Sequence, residues 1–157
     1  MSSLSLPITP ATLADVPALI ELLGILFAIE QDFHPDAEKQ RRGLEMLLAR
    51  PEHACILTAR HPAAGVVGMV SAQLVISTAG GAPSAWIEDV VIRPEFRACG
   101  LGGQLLKAAR DWAITQGATR LQLLADADNT PALEFYKHLD WQPTRLFAWR
   151  QGSKPGI

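Results

Sequence analysis

Residues 97 to 103 read Arg97-Ala98-Cys99-Gly100-Leu101-Gly102-Gly103, a glycine-rich turn between the apolar run Val90-Val91-Ile92 and a stretch with helical periodicity. A strand that turns through glycines into a helix leaves several backbone N–H groups aimed at one spot, with the positive end of the helix dipole behind them. That arrangement suits a phosphate. Gly100, Gly102 and Gly103 let the backbone approach closely, and each N–H to phosphate contact is a charge-assisted hydrogen bond. One helix terminus alone contributes about 0.3 to 1 kcal/mol, up to ~2 when partly buried, so the site depends on several N–H groups acting together. A dinucleotide fingerprint would need Gly-x-Gly-x-x-Gly directly after the first strand, and a Walker loop would need Lys-Ser/Thr where this chain has Gly103-Gln104.

The spacing Arg97-x-x-Gly100-x-Gly102, preceded by Ile87-Glu88-Asp89-Val90-Val91-Ile92, resembles the acyl-CoA signature of the GNAT superfamily of Gcn5-related N-acetyltransferases. A second block, Asn129-Thr130-Pro131-Ala132-Leu133-Glu134-Phe135-Tyr136, is similar to that family's Asn-x-x-Ala-x-x-Phe-Tyr block. Two motifs in this order, separated by one helix and one strand, are specific where either alone is weak. The resemblance implies an acetyl-CoA co-substrate whose pyrophosphate lies on Arg97, Ala98, Cys99, Gly100, Leu101, Gly102 and Gly103. It also implies that backbone groups of Val90, Val91 and Ile92 pair with the pantetheine amides like an added strand, with the N–H near Val90 facing the thioester oxygen. Asn129 is implied to contact the pantetheine arm. The chain departs from the family in three places: Cys99 stands where a basic residue is common, Asp140-Trp141 where Gly-Phe is usual, and Leu124 where members acting on protein N-termini often carry Glu.

Acetyl transfer to an amine requires a neutral nitrogen and a proton for the departing thiolate. An alkylammonium of pKa ~10.4 is neutral in only about one molecule in 10³ near pH 7, a penalty of ~4.6 kcal/mol that a base or water relay offsets. Glu88 is the first candidate for that base and Asp89 the second. In a regular strand they point to opposite faces, so only one serves unless a bulge turns the chain. Tyr136 is the candidate acid, since its phenol stays protonated at neutral pH. Full proton donation to a thiolate of pKa ~8.5 is uphill by ~2 kcal/mol, so hydrogen bonding to the developing thiolate is the expected contribution. By resemblance the acceptor pocket falls between the first two helices, where Phe27, Glu30 and Phe33, with Asp32 and Asp36 close by, would suit a cation with an apolar body. The acceptor reads as a small-molecule primary amine, with a protein or peptide amine as second choice, acetylated by direct attack in a ternary complex. No histidine is placed to activate Cys99 as a nucleophile. The alternative is a catalytically silent module that binds acyl-CoA as a sensor or interaction part.

The elements that must carry these groups follow from periodicity. Leu4 to Thr9 is a short strand candidate. Asp15 caps a predicted helix to about Ile29 whose Leu19, Leu22, Leu23, Leu26 and Phe27 share a face. Asp36 caps a second helix to about Arg50, with Leu44, Leu47 and Leu48 inward, a Glu38 to Arg42 pair outside, and Pro51 ending it. Strands at roughly 54 to 59, 66 to 76 and 84 to 93 read as an antiparallel meander. A helix from Gly100 to Gln116 ends at Gly117, a strand follows at 119 to 125, a helix at 130 to 139, and a final strand or hairpin over Trp141 to Arg150. The only crossover joins the strands at 84 to 93 and 119 to 125, which should be parallel neighbours. The expected fold class is α/β: one mixed, mostly antiparallel sheet flanked by helices, whose parallel central strands, by the resemblance, splay apart.

With 157 residues, 48% apolar, 19% charged and a net charge of −2, the chain fits one domain over 1–157, with 152–157 a flexible tail. Such a small net charge, without Lys/Arg runs, argues against a nucleic-acid partner. No apolar stretch is long enough to span a membrane, and the first residues lack the pattern of a secretory leader. Cys55 and Cys99 are expected to be free thiols in a reducing cytoplasm. His34, His53, His61 and His138 show no ligand spacing, so no metal is expected. The four tryptophans read as core, and apolar residues between Trp141 and Trp149 permit a homodimer without requiring one.

Overall fold

The computed structural model describes residues 3–30 and 32–153, and they fall into two compact units, one up to Leu123 and one from Leu124. In the first unit the order is β1 (Ile8–Pro10), a 3-10 turn (Leu13–Asp15), α1 (Val16–Ile29), α2 (Ala37–Leu48), β2 (Ala54–His61), β3 (Gly65–Ser77) and β4 (Ala82–Ile92). A second 3-10 turn (Pro94–Phe96), α3 (Leu101–Thr115) and β5 (Arg120–Leu123) complete it. The second unit contains α4 (Thr130–His138).

The sheet order is β1-β2-β3-β4-β5. The first four strands are antiparallel, and β5 lies parallel to β4, with α3 as the crossover. Parallel pairing covers only Ser84–Ile87 against Arg120–Leu123, so β4 continues for five residues beyond its β5 partner. That is the expected mixed, mostly antiparallel sheet, but among the described residues β5 is its edge strand and ends at Leu123, so the parallel pair is not central.

One core cluster joins Val16, Leu19, Leu22 and Leu23 of α1 and Leu44 of α2 to Ile56, Val66, Met69 and Val91 of the sheet, with Phe27, Leu47 and Leu48 packed against it. On α3 the buried residues are Leu101, Gly102, Leu105, Leu106, Ala109 and Ala113, the face its period predicts. Gly68 on β3 admits that helix closely: a side-chain carbon there would lie 3.3 Å from Leu105 Cδ1 and 3.3 Å from the Val91 carbonyl oxygen. At the end of α3, Gly117 (φ 85°) closes a Schellman turn, in which Ala118 N–H donates to Ala113 O and Gly117 N–H to Ile114 O, both at 2.9 Å.

Several expectations are corrected. The Asp15 side chain does not cap α1. Its Oδ2 accepts the Thr12 N–H at 2.8 Å, and Arg60 donates to both carboxylate oxygens at 2.6 and 3.0 Å, because the 3-10 turn places Asp15 over β2. The first strand is shorter than predicted: Pro7 has no N–H for a ladder, and Leu4 N–H is used elsewhere, on Cys99 O. Asp36 does cap α2, through Lys39 N–H at 3.1 Å, but Glu38 pairs with Arg41 at 3.9 Å rather than with Arg42. Residues 141–150 form no strand: they have no ladder partner among the described residues, and Leu146, Phe147 and Trp149 are exposed. Of the tryptophans, Trp86, Trp112 and Trp141 are half-buried and Trp149 is 95% exposed, so Trp149 is not core. The expected tail lies outside the described residues from position 154 onward, as does Gln31 in the loop between α1 and α2.

Candidate active site

The strand β4 carries the two carboxylates, and its pairing with β3 is irregular where they lie. Ser71 faces Glu88 and Met69 faces Val91, so two steps along β3 match three along β4. The extra residue is a β-bulge, and Asp89 within it takes φ 52°. Asp tolerates the left-handed region better than most residues with a Cβ. The consequence is that Asp89 meets the same β3 residue that Glu88 faces in register: Ser71 Oγ donates to Asp89 Oδ2 at 3.1 Å. Ser71 is fully buried and is the register partner of Ile56, on the side of the sheet covered by α1 and α2. The bulge therefore provides the reorientation that a regular strand forbids.

Glu88 is exposed and Asp89 half-buried. Burial is the main cause that pushes the Asp89 carboxyl up to about 6, the neighbouring Glu88 charge adds to it, and the Ser71 hydroxyl opposes it. Beyond the bulge, Val91 is buried in the α1/α2 core, while Val90 and Ile92 are half-buried.

The phosphate turn follows from the end of β4. Arg97 Nε donates back to Ile92 O at 3.0 Å, fastening the turn to the strand. Ala98 (φ 58°) and Gly100 (φ 86°) are both left-handed, and Gly100 is the N-cap of α3. Gln104 N–H makes the first helical bond, to Gly100 O at 3.2 Å, so the N–H groups of Leu101, Gly102 and Gly103 precede the intrahelical ladder. Leu101 anchors the turn with a side chain that is 1% exposed. Cys99 is half-buried, with Sγ 3.1 Å from Arg97 O. Convergent N–H groups on a turn with two left-handed residues fit a pyrophosphate, and the β4 edge past Ile87, free of β5, fits an extended amide-bearing arm.

At the α1–α2 connection Phe27 and Phe33 are brought together, ring centroids 5.5 Å apart, with Glu30 as the α1 C-cap between them in sequence. Asp36 is committed to capping α2, and the Lys39 N–H that it accepts holds its carboxyl below the usual range. In the second unit Asn129 is the N-cap of α4, its Oδ1 accepting the Ala132 N–H at 3.2 Å. The Tyr136 ring contacts Phe135 (5.3 Å) and Trp141 (6.1 Å). Asp140 closes α4 with φ 63°: Trp141 N–H donates to Tyr136 O and Asp140 N–H to Lys137 O, both at 3.0 Å. The Gly-to-Asp departure thus keeps the Schellman turn.

Two features escaped the sequence reading. The left-handed Ala98 has no local signal. Ser71 had one: it is the single hydroxyl in the apolar run from Val66 to Ala72. No group of three His, Cys, Asp or Glu side chains able to hold a metal occurs among the described residues, and none of their helices is long and apolar enough to cross a membrane.

Comparison with known proteins agrees with this geometry. The model of the Acetyltransferase (GNAT) family matches residues 19–141. Thialysine N-epsilon-acetyltransferase of Bos taurus is 32% identical over 57 residues, 36% of this chain and 34% of that protein, so the chain matches about a third of this relative's length. Among solved structures, the fold is shared with glucosamine-6-phosphate N-acetyltransferase from Arabidopsis thaliana (TM-score 0.75, 18% identity, 94% of this chain and 99% of that one). It is shared equally with AAC(6')-Iy in complex with the bisubstrate analog CoA-S-monomethyl-acetylneamine (TM-score 0.78, 18% identity, 95% and 99%). The chain belongs to the GNAT acetyltransferase family. By family it is an acetyltransferase.

Proposed function

We propose that the chain moves the acetyl group of acetyl-CoA directly to a primary amine of a small molecule, within a ternary complex. The observation that carries this reading is the β4 bulge, which gives Asp89 a fixed place beside Glu88 on the side of the sheet covered by α1 and α2. Acetyl-CoA supplies the thioester. The amine nitrogen attacks the thioester carbonyl carbon, the C–N bond forms and the C–S bond breaks. The thiolate leaves with the electron pair and takes up a proton, and the amine gives up its own.

The assignment of groups follows the site. Arg97 through Gly103 hold the pyrophosphate, chiefly through backbone N–H groups. The backbone of Val90, Val91 and Ile92 takes the pantetheine amides, with the Val90 N–H as donor to the thioester oxygen. Asn129 contacts the pantetheine arm, and Tyr136 hydrogen-bonds the departing thiolate. Of the two carboxylates, Asp89 is the stronger candidate for proton acceptor. A carboxyl raised to about 6 is a better base than an ordinary one, yet is still about nine-tenths ionised at pH 7. Exposed Glu88 then serves as a second negative charge that draws and holds the ammonium. Phe27 and Phe33, with Glu30, offer an apolar body and a cation their complements. The names of thialysine N-epsilon-acetyltransferase and of the aminoglycoside acetyltransferase, amine acetylators, support the same acceptor class. Two free cysteines support a reducing cytoplasm as the place of work.

The test is release of free CoA thiol from acetyl-CoA in the presence of a panel of small primary amines: diamines, amino sugars, aminoglycosides and thialysine. Amine-dependent release, strongly reduced near neutral pH in Asp89→Asn with acetyl-CoA binding intact, is the expected result. Binding without release by any amine would overturn the enzyme reading in favour of an acyl-CoA-binding module.

A further inference from the structure

The start of the described chain lies against the phosphate turn. Both backbone groups of Leu4 are engaged there: its N–H donates to Cys99 O at 3.0 Å, and its carbonyl accepts from Gln104 Nε2 at 2.6 Å. These contacts connect positions 95 and 100 residues apart in sequence, and they fall on the two sides of Gly100. A side chain at Gly100 would come within 3.9 Å of both Ser3 Oγ and Gln104 Nε2, which puts the Ser3 hydroxyl at the turn as well.

The turn needs outside support. Ala98 is held at φ 58°, a region disfavoured for a residue with a Cβ, and a loop with two left-handed residues has no helix or ladder to fix it. Arg97 Nε on Ile92 O fixes its strand side. The helix side is fixed by Leu4. What Leu4 occupies is the Cys99 carbonyl and the Gln104 side chain, so the contact does not consume the N–H groups of Leu101, Gly102 and Gly103 that face a ligand. Ser3, Leu4 and Ser5 carry no charge that would repel a pyrophosphate.

We propose that Ser3-Leu4 is a strap that positions the phosphate turn for acyl-CoA, with Gln104 as the positioning residue that clasps it. The inference rests on the reading of residues 97–103 as the acyl-CoA pyrophosphate site. Its role is preorganisation: the turn is held in the binding geometry before ligand arrives, so less ordering is charged to the binding step.

Calorimetric titration of the full chain separates this from general stability, using wild type, Gln104→Leu and Leu4→Pro, the last of which removes the N–H given to Cys99. Each protein is titrated with acetyl-CoA and with acetyl-pantetheine, which lacks the pyrophosphate and nucleotide. Loss of one such hydrogen bond should weaken acetyl-CoA roughly three- to tenfold and leave acetyl-pantetheine unchanged. Should Leu4→Pro fail to fold, Gln104→Leu decides by itself, since it alters a half-buried side chain and no backbone group. Unchanged or tighter acetyl-CoA binding in the variants, or equal weakening of both ligands, overturns the strap while leaving the site reading intact. Absence of acetyl-CoA binding in the wild type overturns the site reading and the strap with it.

Discussion

Replacing Ser71 by alanine removes a single hydroxyl from a fully buried position, yet it should move the pH dependence of catalysis. Ser71 Oγ donates to Asp89 Oδ2 at 3.1 Å, and this hydrogen bond favours the charged form of a carboxyl that burial and Glu88 push up to about 6. Of the charged groups on elements next to Asp89, which include Glu21 on α1, Arg93 just after β4, Lys107 and Asp111 on α3 and Arg120 on β5, only Glu88 acts appreciably on it. A hydrogen bond to a charged acceptor is worth about 1.5 to 3 kcal/mol, or about one to two pH units. In wild type, log kcat/KM for an alkylamine that arrives as the ammonium and gives its proton to Asp89 should be level between about pH 6 and the amine pKa of ~10, and should fall with slope one below about pH 6, where Asp89 is protonated. Ser71→Ala should move that break upward by about one to two units. Glu88→Gln should move it downward, since a repulsive charge is removed while burial remains. Asp89→Asn should abolish it, leaving slope one throughout. The assay is CoA thiol release from pH 5 to 9 at sub-saturating amine. A break that Ser71→Ala leaves in place, or one that survives Asp89→Asn, refutes Asp89 as the titrating base.

Two carboxyls should pull stability in opposite directions with pH. The folded Asp89 carboxyl is raised above its unfolded value, so its contribution is fully present below about pH 4 and is lost as pH rises to about 6, about 3 kcal/mol in all. Asp15 is lowered, chiefly by its hydrogen bonds from Arg60, so its contribution is present above the unfolded value and is lost as pH falls below about 4. Urea titrations of Asp89→Asn should show the first slope removed, so that the variant falls more steeply from pH 7 to 5 than wild type, and a shallower fall would contradict it. Arg60→Ala should cost about 1 to 3 kcal/mol, read as a lower urea midpoint, because it strands a largely buried Asp15 carboxylate; a loss below half of that would show Asp15 rehydrated by solvent. Ala98→Gly relieves a left-handed residue worth about 1 to 2 kcal/mol but adds freedom to the unfolded chain, so a net gain of up to about 1 kcal/mol is expected, and a lower thermal midpoint would count against strain at this position. Burial pushes the Cys55 thiol up to about 12, so iodoacetamide at pH 7.5 should label Cys99 first and acetyl-CoA should slow that labelling; mass mapping that finds Cys55 labelled faster reverses the assignment.

The sequence by itself determined what short-range physics controls. Apolar periods placed α1, α2, α3 and three strands of the meander, Asp36 and Gly117 marked helix ends, and the glycine turn ahead of α3 marked the site proposed for the pyrophosphate, because caps, left-handed glycines and face patterns act within a few residues. The single crossover likewise followed from element order, with α3 delivering β5 parallel to β4. What only the tertiary structure decided are contacts between distant positions. Asp15 was legible as a cap, but Arg60, 45 residues away, claims its carboxylate. Segment 141–150 read as a final strand or hairpin, yet a strand exists only where another supplies the ladder. Glu88 and Asp89 were legible as acids, but the choice between them turns on one extra residue in the β3–β4 register, set by how the sheet packs under α1 and α2. Leu4 read as part of a strand, and only folding brought its amide to the carbonyl of Cys99. A local pattern can say which residues are able to do chemistry, whereas register, burial and long-range hydrogen bonds choose the ones that are placed to do it.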